Sequence, residues 1–561
     1  MKKILLTLFL TITCFYIINA QENVDNKDKG EFSGNFQNTN QFYVNDAKIG
    51  TNTTQYKREL SSADAWLFLS YKLKGFKFNL RYDVFNNTPL FNPSEAYTKS
   101  GIGIWSVSKD IDNFNITVGY FYDQFGTGMV FRAFEDRNLG LDFAINGVRL
   151  IYSPSENTQI KAFTGLQKFR FDVRPEVIKG LNIEHRIELN EDLNLQLGAS
   201  AVNRTIDQNT MNTVVGAINN YELKNRFIPT YNVYLGNIYN TLSYKKFSLY
   251  TEYCQKSKEA IFNPVLDRME LKDGRVYYTS LSYSTKGLGI NAQYKKIESF
   301  SLRTSPLENL NLGMIAYLPS LTRQNTYRLL ARYNAVVQEL GENALGMEFT
   351  IKPQAKYFKK HQTTININTS VVTSSDNFDG KRINPFSFEQ DTARYFREHY
   401  IDVSHKFNKK FKAMLGFQYI NYNQQLFEQK TKEYEYVTAK TYFGEITYKL
   451  TPTRSLRVEA QYLETKQDLG SFINGTVELN IAPHYSFSVG DMVNVDRVVR
   501  NTQASSSDLV HYWNVFGSYT YKTTRMTAGF IKQVEGVNCT GGVCRVEPAF
   551  SGVRVTLQTN F

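Results

Sequence analysis

Stretches of about ten residues that alternate apolar and polar side chains fill most of this chain, and such a period of two dictates strands. The clearest pair spans Ala65 to Val84. Ala65, Leu67, Leu69, Tyr71 and Leu73 share one face, Lys74-Gly75 makes a turn, and Phe76, Phe78, Leu80, Tyr82 and Val84 resume with Lys77, Asn79, Arg81 and Asp83 opposite. The same grammar recurs at 114–122, 193–201, 247–253, 288–294, 345–351, 363–371, 413–419, 456–462, 485–489 and 526–530. No helical period of comparable length accompanies it. A mean hydropathy of −0.39 excludes a bundle of helical membrane spans.

A secreted β-sandwich or propeller also alternates, and three features weigh against it. Strands of about ten residues match a tilted membrane crossing, whereas ordinary strands average about five or six. Connections alternate between short (74–75, 286–287, 408–409) and long (372–397, 494–508), as between the two ends of a membrane barrel. The chain also stops on a full alternating strand. Val553, Val555, Leu557, Thr559 and Phe561 line one face, with Arg554, Thr556, Gln558 and Asn560 on the other, a pattern similar to the assembly signal of outer-membrane barrels. The fold expected is all-β, a large single-chain antiparallel transmembrane β-barrel.

Strand segments can be placed from 32–42 to 553–561. They give an even count of 24, or 26 if Leu310 to Asn334 holds a further hairpin around Pro319, and we favour 26. Residues 1–20 read as a cleaved signal peptide: Lys2 and Lys3, an apolar run from Ile4 to Ile18, then Ile18-Asn19-Ala20. Residues 21–31 form a short periplasmic segment and 32–561 the barrel. The chain carries a formal charge of +12, two units of it from Lys2 and Lys3. That excess suits anionic solutes if it lies in the lumen, or lipid phosphates if it lies in the outer loops.

Barrels of 16 to 18 strands already leave an aqueous channel, so a wider one needs closing. Residues 21–30 are too few for an N-terminal plug domain, which leaves an inward-folded loop or a partner protein. The candidate loop is 124–142, mixing glycines, aromatics and opposite charges. Arg132, Glu135, Asp136, Arg137 and Asp142 are its lumen-constriction candidates. They either line a permeation path or form an ion-pair cluster fastening the loop to the wall. The second reading is favoured because buried charges need partners.

This stretch, together with Cys539-Thr540-Gly541-Gly542-Val543-Cys544-Arg545-Val546-Glu547-Pro548-Ala549, resembles an uncharacterised outer-membrane β-barrel family of Bacteroidetes-type bacteria, a domain of unknown function. The resemblance covers nearly all of the mature chain. It implies a barrel and a compartment, the bacterial outer membrane, without an activity.

Cys539 and Cys544 flank Thr-Gly-Gly-Val, flexible enough to close, in an envelope that permits disulfides. We expect them to be bonded. No zinc set, phosphate loop, dinucleotide fingerprint or hydrolase elbow is present, so neither metal, cofactor nor enzymatic activity is expected. The leading expectation is a gated channel or transport component. The alternative is a non-transporting scaffold of an envelope or secretion complex, and a surface enzyme comes third. Expected partners are outer-membrane lipids, the barrel assembly machinery and a lipoprotein or envelope-complex protein; nucleic acid is not expected.

Overall fold

The wall strands run Glu31–Tyr43 (β1), Ser61–Leu73 (β2), Phe76–Thr88 (β3), Tyr97–Ile111 (β4), Phe114–Phe121 (β5), Ile145–Ser155 (β6), Thr158–Phe169 (β7) and Asp172–Asn190 (β8). They continue as Leu193–Thr205 (β9), Asn232–Tyr244 (β10), Phe247–Asn263 (β11), Arg268–Thr285 (β12), Leu288–Glu298 (β13), Gly341–Ile351 (β14), Thr364–Thr373 (β15) and Arg394–Lys406 (β16). Phe411–Asn423 (β17), Tyr436–Thr451 (β18), Arg454–Glu464 (β19), Phe472–Ile481 (β20), Tyr485–Asn494 (β21), Asn514–Tyr521 (β22), Thr524–Gln533 (β23) and Phe550–Asn560 (β24) complete the wall. Each pairs antiparallel with its neighbour in sequence. Val510–His511 is the offset start of β22, since both pair with β21. This computed structural model describes residues 30–52, 54–88, 97–263, 266–375, 394–428, 436–496, 509–540 and 543–561, without the side chains of 54–55 and 537–546. Residues 1–29, which include the expected signal peptide, lie outside the described part.

The count is therefore 24, and the expectation of 26 is corrected: no wall hairpin forms around Pro319. Residues 299–340 leave the wall after β13 and return at β14, and in between they fold inward. Their physical handicap as strands is visible in the sequence, since 299–340 carries Pro306 and Pro319 and lacks sustained alternation.

Alternation divides each strand between two surroundings. In β3, Leu80, Tyr82 and Val84 stay exposed on the outer face, while Arg81 and Asp83 are 5% and 1% exposed on the inner one. Ile238, Leu415 and Val489 extend the outer apolar belt to the far side. An apolar surface of this extent is not tolerated against water. At one end eight connections are two residues long; in the first, Lys74 and Gly75 both take positive φ (49° and 75°), the conformation that tight hairpins require. The opposite end carries the longer connections, including 206–231 with the helix Gln208–Asn219.

The sheet closes without a free edge. β1 pairs with β24 from Asn35↔Asn560 to Tyr43↔Gly552, and the Gly34 and Phe561 backbones exchange hydrogen bonds of 2.7 and 3.0 Å. A Cβ on Gly34 would stand 2.4 Å from the Phe561 ring, so glycine is what allows that ring to lie across the seam. Thr559 joins the seam to β23 through the Thr524 hydroxyl at 2.8 Å, and Leu557 lies opposite the exposed Met526.

Candidate functional site

Two connections from the long-loop end turn back into the lumen and meet there. The first, 122–144, forms a small ribbon in which Asp123–Phe125 pairs with Phe131–Ala133. The second is 299–340. Arg132 N donates to Ile315 O at 2.9 Å, and Tyr317 N donates to Gly128 O at 3.0 Å. Phe125, Met129 and Val130 from the first segment share one buried apolar cluster with Ile315, Leu321 and Leu329 from the second, and with inward wall residues such as Val233, Phe396 and Leu463. The expectation was closure by the single loop 124–142 or by a partner protein. Instead, the middle of the lumen is a packed apolar core.

The second segment reaches from one wall to the other. Near β7, Gln167 Nε2 donates to Met314 O at 2.6 Å, and Arg174 of β8 pairs with Glu308. On the far side, Ser370 of β15 donates to Leu321 O (3.0 Å), Asn325 to Glu398 of β16 (3.1 Å) and Tyr327 OH to Glu445 of β18 (2.8 Å). Leu329 N donates to Gln461 of β19 at 2.8 Å, and Arg332 pairs with Asp468 at 2.8 Å. In a ring of 24 strands, β7 and β19 stand opposite each other, so the segment spans the lumen as a diaphragm.

Three of the five charged candidates converge on the wall. Arg81 of β3 contacts Asp83 at 2.9 Å, Glu135 at 2.8 Å and Asp142 at 2.8 Å. Lys168 of β7 reaches Asp142 at 2.9 Å. Arg137 contacts Glu135 at 2.8 Å and lies over the Trp66 ring at 3.3 Å. Burial opposes the Asp142 charge, but Lys168 and Arg81 outweigh it and hold the carboxyl at about 2. Glu135 is raised, first by burial and then by the adjacent Asp142. The arrangement is that of a latch made of charge.

The other two candidates sit elsewhere. Arg132 lies over Phe134 (4.7 Å) and Tyr317 (4.1 Å), so it joins the two inward segments instead of entering the ionic cluster. Asp136 accepts from Leu139 N at 3.2 Å and caps a turn. Sequence reasoning missed the wall partners Arg81 and Lys168, which alternation alone marks only as inward-facing, and it missed the diaphragm itself. Cys539 and Cys544 lie directly opposite in register where Gly536–Thr540 pairs with Val543–Glu547; their side chains are outside the described part. Among the described residues no cluster of three or more His, Cys, Asp or Glu suits a metal.

The sequence pattern of DUF6029, a family of unknown function, matches residues 1–561. The chain belongs to this family. No curated protein matches it. Among solved structures it is similar to the siderophore receptor PirA from Pseudomonas aeruginosa, with 9% identity, TM-score 0.41, and 96% of this chain and 81% of that one covered. It is also similar to the ferric citrate transporter FecA (9%, TM-score 0.39, 95% and 79%) and to OccAB3 of Acinetobacter baumannii (8%, TM-score 0.33, 95% and 99%). Likenesses at these scores add nothing to the strand pairing described above.

Proposed function

We propose that the protein is a gated channel or transport component of the bacterial outer membrane, closed at rest by its own two inward segments. The observation that carries this reading is the diaphragm, which fills a lumen otherwise wide enough to conduct. The outer apolar belt supports a bilayer location, because a closed barrel is the one β arrangement that leaves no backbone group unsatisfied in lipid. The short turns then face the periplasm. Replacing 301–338 by a short Gly-Ser linker is expected to convert a non-conducting barrel into a conducting one in planar bilayers, with heat-modifiable migration confirming that the variant is folded. A folded deletion variant that still does not conduct would defeat the channel reading.

A scaffold role is favoured by one observation: Leu223 and Ile228, on the 206–231 connection, are 81% and 87% exposed. A stoichiometric partner retained from native membranes in mild detergent, and lost on Leu223→Asp with Ile228→Asp, would support that alternative. The Cys539–Cys544 disulfide stands as part of the same proposal, and alkylation after unfolding without reductant should then label Cys254 alone.

A further inference from the structure

We propose that the lumen mouth at the short-turn end is a binding site for small multivalent anions, phosphates or polycarboxylates, and that these are the solutes the barrel handles; this rests on the channel reading above. A 790 Å3 cavity opens there, between the 352–363 connection and the turns at 286–287 and 407–410. Eight lysines line it, and no Asp or Glu does. Among the described residues no carboxylate lies within salt-bridge distance of any of the eight, although the Lys412 charge acts on Glu445.

The strands fix which way the central lysines point. Lys412 shares the face of Gln418, whose amide donates to Leu330 O of the diaphragm. Lys449 shares the face of Glu445, which accepts from Tyr327 of the diaphragm. Lys406 is the register partner of Lys412 and so shares its face. All three therefore face the lumen, beneath the diaphragm and away from lipid headgroups. The nearest inward acids on these strands lie deeper and are engaged: Asp402 accepts from Asn366 at 3.1 Å and Glu445 pairs with Arg457 at 2.8 Å.

Like charges directly opposite on neighbouring strands disfavour the pairing, and Lys406, facing Lys412, donates only to a neutral acceptor, Gln362 Oε1 at 3.4 Å. A concave surface lined by one sign of charge focuses field and concentrates the opposite ion. Phe358, Phe411 and Pro353 give the cavity apolar walls, where water screens a bound anion less than on an open surface.

The test is calorimetric titration of the purified full-length barrel in neutral detergent with inorganic tripolyphosphate. Saturable binding is expected, weakened about tenfold or more by the combined K406Q/K412Q/K449Q variant, retained in K406R/K412R/K449R, and unchanged by Lys245→Gln with Lys246→Gln at a different turn. Binding that the triple Gln variant leaves intact would overturn the site, as would no binding at all. An anionic lipid headgroup offers the same chemistry, so the titration is repeated in phosphatidylglycerol nanodiscs. Undiminished binding there supports a soluble ligand, and abolition would reassign the lysines to lipid and overturn the proposal. A conducting 301–338 deletion whose intact parent binds no tripolyphosphate would remove this inference alone. Binding by a barrel whose deletion stays closed would support the site while removing the channel.

Discussion

The two inward segments are held by opposite strategies. Segment 122–144 carries its densest fastening at one place, where Arg81 alone contacts two of its carboxylates, Glu135 and Asp142, while Asp123 and Thr127 are tied separately to Arg149, Lys161 and Glu252. Segment 299–340 is fastened at many places, mostly by single hydrogen bonds distributed from β7 to β19. A concentrated ionic latch is stable only while complete, because removing one member leaves buried charge without compensation. Distributed anchors can be lost one at a time.

The sharpest way to break this contrast is Arg81→Ala, which removes the cation that Asp83, Glu135 and Asp142 share and leaves Asp142 to Lys168 and the other two to Arg137. A loss of about 3–5 kcal/mol is expected, read as a large drop in the midpoint of heat-modifiable migration. A loss no greater than that of a single diaphragm anchor would erase the distinction. Gln461→Ala, which orphans the buried Leu329 N–H, should cost about 1–3 kcal/mol, and adding Ser370→Ala should be close to additive. Strong non-additivity would mean that the diaphragm also behaves as one unit.

Acid should act on the latch through two carboxyls of opposite sign. Asp142 has a folded value of about 2, below the ordinary value of about 3.9 for Asp, so its contribution is present above about pH 4 and is lost as pH falls toward 2. Glu135 is raised, so its own contribution runs the other way: it favours the folded state at low pH and weakens as pH rises through the folded value. A net softening of the 122–144 segment on acidification, measured by protease cleavage within it, says that Asp142 prevails. Protection that increases on acidification would say that Glu135 does. The smallest effect belongs to Arg132→Ala, where the loss of stacking on Phe134 and Tyr317 should cost about 0.5–2 kcal/mol and leave ion selectivity of the opened barrel unchanged.

The wall was almost wholly legible in the sequence, because an outer face against an apolar phase and an inner face against polar groups impose a period of two on every strand. The first and last segments, 32–42 and 553–561, match Glu31–Tyr43 and Phe550–Asn560 within three residues, whereas β8, β11 and β12 run seven or eight residues further toward the long-loop end than the 180–189, 246–256 and 275–285 that alternation marks. The interior was not legible to the same degree. Segment 299–340 faces apolar neighbours on several sides at once, so Ile315, Leu321 and Leu329 follow no single period, and its partners Gln167 and Gln461 are separated from it by more than a hundred residues. Charge pairing suggested a latch in 124–142, and of its five residues Glu135, Arg137 and Asp142 lie in the ion-pair cluster. It could not tell them from Arg132, whose partner is a ring, or from Asp136, whose partner is a backbone amide.

The seam between β1 and β24 joins side chains 525 residues apart in Asn35 and Asn560, so no closed barrel can exist until β24 has been synthesised. Until then both edge strands are open templates for pairing with other chains, and their contact is the most entropically remote in the molecule. The diaphragm compounds the problem, since its anchors on β7 and β19 are on walls that face each other only after the sheet has curled. The topology therefore ranks the contacts by how much chain must already be in place: sheet growth between neighbours first, interior packing as curvature brings the walls together, and the Gly34–Phe561 clasp last.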